Sequence, residues 1–509
     1  MSISTRQSGW LGGIADDPRA MRSSQGNYYP DGYTITKHFD LTSNVGRLTP
    51  YRTLIADTND GSTSTGMKQY AVQDFVYGST KGATTNAELY GLGKTGAGFA
   101  EVFYKQSATS GNWTVPASSS GNGAVWNGCF FEFQDYLWFL QGTTQLAKWG
   151  TLSGSPSITN TVSTLGATIT SVANGVIASD ANAYFAYNNV IVRIAPGLAV
   201  TDNAKTVPSN YKITSLCNYG NYLAIGCSPI SIYNGRSKVF IWNLSSDLFQ
   251  ESLEWGSGEL RVLENIEGML VGVSDRYLNN ASGAGVGSMI IQTWAGGTPT
   301  VVKEIFTQAT VGKSIPISKF VKNNRLFFAA KIMTDSTGTT YNEGIWSYGR
   351  KNVNYPFLLT LEYIDENIST SGIQAIGSAA NYIYIAHSSD GSIDKTNSSS
   401  TYTFTSIAET QIYTFGGVDF DKRLNHIKVG FRKLLAGESF TLKYKVDDAT
   451  AWTTIGTYST TGGYTRTFLR EETGNKDFTA GREFKFRLES TGGLEILSFE
   501  VGAQPFATP

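Results

Sequence analysis

Asn221-Tyr222-Leu223-Ala224-Ile225-Gly226 reads as a turn-forming amide followed by an apolar run that does not alternate. A strand with one wet face alternates apolar and polar residues; one covered on both faces need not. The same pattern stands at Asp135-Tyr136-Leu137-Trp138-Phe139, at Asn324-Arg325-Leu326-Phe327-Phe328 and at Asn381-Tyr382-Ile383-Tyr384-Ile385. The first two gaps between these four segments each hold two blade-length periods of about 40–55 residues, and the third holds one. Weaker strand-like stretches occupy the positions the period points to: Glu88-Leu89-Tyr90-Gly91-Leu92, Asn182 to Tyr187 and Glu267 to Val273. The sum is about seven units, in the range of β-propeller blades.

Each unit has further strands. Leu146 to Trp149, Val190 to Ile194, Val239 to Trp242, Met289 to Ile291 and Gly344 to Trp346 follow the repeated run. Ile213 to Leu216 and Ile373 to Ile376 precede it. Three or four strands per unit is what a blade requires. The repeat region is placed at 69–416, with Gln69 to Tyr77 and Thr401 to Phe415 expected to share a blade and close the ring, which removes open sheet edges.

The C-terminal strands differ. His426 to Phe431, Phe440 to Val446, Ala451 to Ile455, Phe484 to Leu488 and Leu494 to Phe499 alternate, with Lys and Arg on the polar face. That is the mark of antiparallel sheets with one face in a core, so 417–509 reads as a jelly-roll-like β-sandwich. Residues 1–68, with the turn Tyr28-Tyr29-Pro30-Asp31-Gly32, read as an N-terminal arm or docking segment. The expected fold is all-β: a propeller of about seven blades followed by an antiparallel sandwich.

Bulk composition agrees. Of 509 residues, 40% are hydrophobic and only 16% charged, against the usual quarter, and 55 are Gly. Forty basic and 41 acidic residues give a net charge of −1, which exerts no global pull toward nucleic acid or anionic membrane. Lys422, Arg423, Lys428, Arg432 and Lys433 concentrate in the last region and read as a solvated sandwich face. Cys129, Cys217 and Cys227 form no CxxC pair and sit among apolar residues, as small buried hydrophobes do. No window is long and apolar enough for a helical membrane span, and Met1 to Gly12 has no signal core.

Candidate chemistry is sparse. His38, His387 and His426 are the only histidines, and no GxSxG nucleophile elbow accompanies them. Asp57-Thr58-Asn59-Asp60-Gly61 has the wrong ligand spacing for a calcium loop. Ser389-Asp390-Gly391-Ser392 is an Asp-Gly turn. Ser107 to Trp113 lacks the Asp of a sialidase Asp-box. WD40 and kelch repeats are absent, and Ser282 to Gly287 reads as a glycine-rich loop between strands. Tyr28, Tyr29, Trp113 and Tyr277 lie near expected loops, where a glycan or protein contact competes with ordinary packing. No catalytic, cofactor-binding or metal-ligating residue is nominated, and no cofactor is expected.

The layout resembles that of structural tail proteins of tailed bacteriophages, such as nozzle and tail-tip proteins. An N-terminal arm leads into a divergent propeller and a small β-domain ends the chain. Tyr444 to Gly456 is similar to the strand–turn–strand of C-terminal domains in such proteins, and Gly26-Asn27-Tyr28-Tyr29 with Arg47-Leu48-Thr49-Pro50 has a similar character. The resemblance implies a non-enzymatic virion component of the tail, made in the host cytoplasm and acting in tail assembly, host attachment or DNA passage. Implied partners are other tail proteins, further copies of the chain in a ring, a host-surface glycan or receptor, and passing DNA held without sequence-specific contact. Two other classes compete: a glycan- or receptor-binding fibre protein using the sandwich, and a propeller glycoside hydrolase with acids in the central funnel.

Overall fold

The computed structural model describes residues 3–7, 33–41, 47–51, 54–57, 71–77, 89–95, 97–105, 112–116, 120–231, 235–277, 287–307, 314–333, 341–350, 357–364, 373–387, 392–396, 402, 404–415, 421–469 and 478–505. All regular elements among these are strands. They form seven antiparallel blades around one axis and a separate two-sheet sandwich.

Blade 1 is built from Ala71–Tyr77, Leu89–Lys94 and Phe99–Lys105, with Trp113–Thr114 on its outer edge. The long strand Ser120–Phe133 starts on that same edge and ends as the innermost strand of blade 2, which continues through Tyr136–Gln141, Gln145–Gly150 and Ser157–Thr164. Blades 3 to 6 each have four strands in sequence order. Their innermost strands are Val172–Ile177, Tyr211–Tyr219, Glu259–Ile266 and Ser314–Lys322. Blade 7 has Ile373–Ala379, Tyr382–His387 and Ile393–Thr396. Each innermost strand lies against that of the next blade, and that of blade 7 lies against that of blade 1.

The non-alternating runs are the second strand of every blade: Leu89–Lys94, Tyr136–Gln141, Ala183–Tyr187, Tyr222–Pro229, Met269–Tyr277, Arg325–Met333 and Tyr382–His387. All five side chains of Ala183–Tyr187 are buried. Phe185 faces the core shared with blade 2, while Tyr184 faces the core shared with blade 4. The amides and acids before these runs sit in the hairpin turn from first to second strand. Gln134 and Asp135 both have positive φ, as do Asn323 and Asn324, the geometry of primed turns that match strand twist.

The first strands carry a repeated latch. Each is an edge strand of its blade, so alternate backbone groups face the ring with no ladder partner of their own. A polar side chain of the preceding blade takes them up. Asn174 Oδ1 accepts from Leu216 N and its Nδ2 donates to Leu216 O. Ser215 does the same for Leu263, and Ser318 for Ile376. Glycine makes room at two junctions: a Cβ on Gly175 would lie 2.1 Å from the Phe131 ring, and one on Gly377 would lie 2.7 Å from Phe75. The ring is not symmetric. Ser314–Lys322 comes within 8 Å of the first strands of blades 2 and 4, across the axis.

Ring closure differs from the expectation. The outermost strand of blade 7 is Leu54–Ala56, which pairs with Ile393–Thr396. Ala71–Tyr77 is the innermost strand of blade 1, and Ser406–Thr410 leaves the propeller altogether to pair with Phe484–Thr491. Residues expected in an N-terminal arm are also built in. Ile3–Gln7 pairs with the last strand, Ile496–Pro505, and Tyr33–Lys37 pairs with Ser406–Thr410. The sandwich therefore has one sheet ordered Ile3–Gln7, Ile496–Pro505, Lys422–Phe431, Thr465–Leu469. The other runs Tyr33–Lys37, Ser406–Thr410, Phe484–Thr491, Ser439–Val446, Thr453–Tyr458. Its core takes Phe39, Leu41 and Leu48 from the chain's beginning alongside Phe431, Phe440, Phe486 and Phe499 from its end.

A candidate binding pocket at the closing seam

Leu48 is buried in the sandwich core, and Leu54 belongs to the core between blades 6 and 7. The short stretch between them is the seam that joins the two domains, and the buried His38, Asp57, Thr396 and Ser406 lie along it. Tyr51 N donates to His38 O at 2.7 Å, and Ser406 Oγ donates to the same oxygen at 3.1 Å.

Just past the closing strand, Asp57 is fully buried. Its carboxylate meets Lys105 Nζ of blade 1 at 2.5 Å and Lys395 Nζ of blade 7 at 3.0 Å. Trp113 Nε1 donates to it at 3.0 Å. Lys105, also fully buried, lies 5.5 Å from the centre of the Trp113 ring and 5.7 Å from that of Tyr384. One carboxylate thus ties the first blade to the last. Charges so far from water persist only when paired and hydrogen-bonded.

Beside this latch, between blades 6 and 7, lies a cavity of about 400 Å³. Blade 6 supplies Lys322 and Asn323 from its first hairpin, Arg325 and Phe327 from the second strand, and Glu362 and Tyr363 from the fourth. Blade 7 supplies Asn381, Ile383 and Thr396, and the seam supplies Asp40 and Tyr51. Glu362 is buried and is held by Arg325 Nη2 and Ser347 Oγ. Burial, and behind it the Asp40 carboxylate, pushes the Glu362 carboxyl well above the ordinary carboxylate range. Lys322 Nζ donates to Ser378 Oγ at 3.2 Å and to Ala380 O at 3.0 Å. Desolvation lowers its pKa. Tyr51 and Tyr363 pack with ring centres 4.4 Å apart. The lining combines aromatic side chains, Tyr51, Phe327 and Tyr363, with polar and charged ones.

The residues weighed from sequence fall elsewhere. His38 is buried and stacks on Phe404, and His387 Nε2 lies 3.1 Å from Asp394 Oδ2 inside blade 7. His426 Nε2 lies 3.7 Å from Glu500 on the sandwich. The histidines are not brought together. Asp57 is the buried latch and not a loop ligand; residues 58–61 lie outside the described residues, as do 389–391, 107–111 and 282–286. Tyr28 and Tyr29 also lie outside them. Trp113, a candidate surface aromatic, is buried in the core between blades 1 and 7. Cys129, Cys217 and Cys227 are buried free thiols, and burial raises the pKa of each. Lys422, expected on a solvated face, is buried, while Lys428 and Lys433 are exposed and Arg432 pairs with Glu438. Among the described residues there is no cluster of three or more His, Cys, Asp or Glu side chains able to hold a metal ion. Nor among them is any helix long and apolar enough to cross a membrane.

No protein-family model matches the sequence, and no curated protein matches it. Solved structures resemble it in shape. A catalytically inactive virginiamycin B lyase from Staphylococcus aureus aligns over 67% of this chain and 97% of its own, at 10% identity and a TM-score of 0.42. The Pan2 WD40 domain from Neurospora crassa aligns over 70% and 96%, at 8% identity and a TM-score of 0.38. An exo-β-1,3-galactanase from Phanerochaete chrysosporium, solved with galactose, aligns over 88% and 100%, at 10% identity and a TM-score of 0.31.

Proposed function

We propose that this chain is a non-enzymatic structural and docking component of a bacteriophage tail, of the nozzle or tail-tip kind. The observation that carries the reading is the seam. Both ends of the chain build the sandwich, and the strand that leaves it closes the propeller. The buried Asp57 then fixes that closure across the first and last blades. Such wiring couples two modules into one body, as a part that transmits contacts between neighbours in an assembly requires. The resemblance in layout to tail proteins supplies the biological setting. Any DNA passage belongs to the middle of a ring of copies, because Ser314–Lys322 crowds the propeller's own axis.

The test is the mass of the purified chain in solution together with electron microscopy of the same sample. A symmetric ring, or incorporation into one with other tail proteins, is the expected result. A monomer at all concentrations that joins no tail assembly overturns the reading. A second reading, a glycoside hydrolase, draws on Asp40 and Glu362 lining one pocket. Turnover of aryl glycosides that is lost in Glu362→Gln would establish it in place of the first.

A further inference from the structure

The geometry points to a binding site for a neutral saccharide in the cavity between blades 6 and 7, a role beyond the structural one and independent of it. The volume, about 400 Å³, lies within the range of ligand pockets, about 300–1,000 Å³, and suits a mono- or disaccharide. Charge decides the class. Arg325 and Glu362 are taken up by each other, so an anion entering would meet Lys322 but also the Asp40 carboxylate, and a cation would meet Asp40 but also Lys322. Neither gains a net partner, while a ligand rich in hydroxyls can donate to one set and accept from the other.

The walls fit that chemistry. Tyr363 with Tyr51 packed on it, and Phe327, offer aromatic surface for the C–H face of a sugar ring, and Asp40, Asn381 and Lys322 add polar atoms to the same lining. The site is also held in shape. Lys322 is fixed by Ser378 and Ala380, and Thr396 Oγ1 accepts from Ile383 N at 3.2 Å. Groups fixed in place before binding lose little freedom on binding.

Calorimetry and saturation-transfer NMR on the full chain test this. The probes are glucose, galactose, mannose, N-acetylglucosamine and their β-linked disaccharides, with inorganic phosphate and putrescine as charged controls. At least one saccharide is expected to bind, and the charged controls are not. Asp40→Asn should weaken that binding about tenfold, and Tyr51→Ala more, with thermal unfolding of Asp40→Asn unchanged. A diazirine derivative of the bound sugar should label peptides containing Tyr51 or Lys322 in the wild-type chain, a readout that needs no variant to fold. Failure of every saccharide, selective binding of phosphate or putrescine, unaltered binding in both variants, or labelling confined to the sandwich overturns the proposal. The oligomer mass measured on the same samples reports separately on the tail reading.

Discussion

The second strand of blade 3 and the strand Phe484–Thr491 of the sandwich are built from similar residues to opposite rules. Ala183–Tyr187 is buried at every position. Phe484–Thr491 is buried at every other position, with Phe484, Phe486, Leu488 and Ser490 inside. The difference is the number of neighbours a sheet face has. A blade stands between two others, so both faces of its middle strands are interior. A sandwich sheet has one core and one wet face. The same contrast extends to charge. The sandwich's buried Glu409 is met by Lys485 at 2.8 Å and Arg487 at 2.5 Å, both reaching in from the partly wet outer face. The propeller has no wet face to draw on at its middle strands, and its buried charges pair inside or between blades: Arg325 with Glu362 in blade 6, Arg261 with Glu259 and Asp275 in blade 5, and Asp57 with Lys105 and Lys395 between the last blade and the first.

The largest effects should come from consecutive positions of a second strand. Tyr184→Ala and Phe185→Ala each remove a buried aromatic from a different inter-blade core, and each should cost about 3–5 kcal/mol in denaturant unfolding. In the sandwich, Phe486→Ala should cost as much, while Thr441→Ala, on the outward face of the adjacent strand Ser439–Val446, should cost less than about 0.5 kcal/mol. A small cost for either Tyr184→Ala or Phe185→Ala breaks the two-faced account of the blade.

Asp57→Ala tests closure. It takes away the carboxylate that the buried Lys105 and Lys395 share, and breaking such a group from one side costs about 3–5 kcal/mol. Hydrogen exchange should show blades 1 and 7 losing protection first, with the sandwich strands Phe484–Thr491 and Ser439–Val446 following only later. Uniform loss across the molecule would mean that the latch does not act at the ring's closing point.

Much of this was legible in the sequence, and the reason is the two-faced burial itself. Four second strands announced themselves because covered strands need no polar alternation, their spacing pointed to three weaker ones, and the sandwich announced itself because its strands alternate. Closure was not legible. Leu54–Ala56 is three residues long, too short to show any period, and Ser406–Thr410 reads equally well as a strand of either domain. The pocket was hidden because its residues come from distant turns and strands, Asp40 to Thr396. One signal was available. Arg325 opens an apolar run and Glu362 interrupts another, Leu358–Ile364, and a charge inside such a run has to find a buried partner. Lys105 at the end of Phe99–Lys105 carries the same message.

Asp74, on the first strand of blade 1, sharpens the comparison through pH. Burial pushes its carboxyl up to about 7, against a partly offsetting hydrogen bond from Phe75 N. Its folded pKa lies above the ordinary aspartate value of 3.8, so the folded state holds the extra proton between the two. The resulting stability is fully present below about pH 4 and is lost as pH rises through about 7, at roughly 1.4 kcal/mol per pH unit. Asp74→Asn should abolish that decline relative to wild type when denaturation midpoints are measured from pH 4 to 8. An unchanged slope in the variant would assign the decline to other groups.

The smallest effect concerns the latch between first strands. Ser318 Oγ donates to Ile376 O at 3.0 Å and accepts from Ile376 N at 2.6 Å. Ser318→Ala leaves both backbone groups without that partner in a buried setting, which costs about 1–3 kcal/mol. The sandwich pair Thr441 and Thr457, 2.9 Å apart on an exposed face, looks similar as a hydrogen bond. Water can replace it, so Thr457→Ala should change stability by less than about 0.5 kcal/mol. Equal costs at the two sites would show that the propeller's first strands are wetter than their burial indicates, because only solvent reaching Ile376 could spare the blade that loss. Costs ordered as expected would place the polar order of the ring, as well as its apolar cores, on the two-faced side of the comparison.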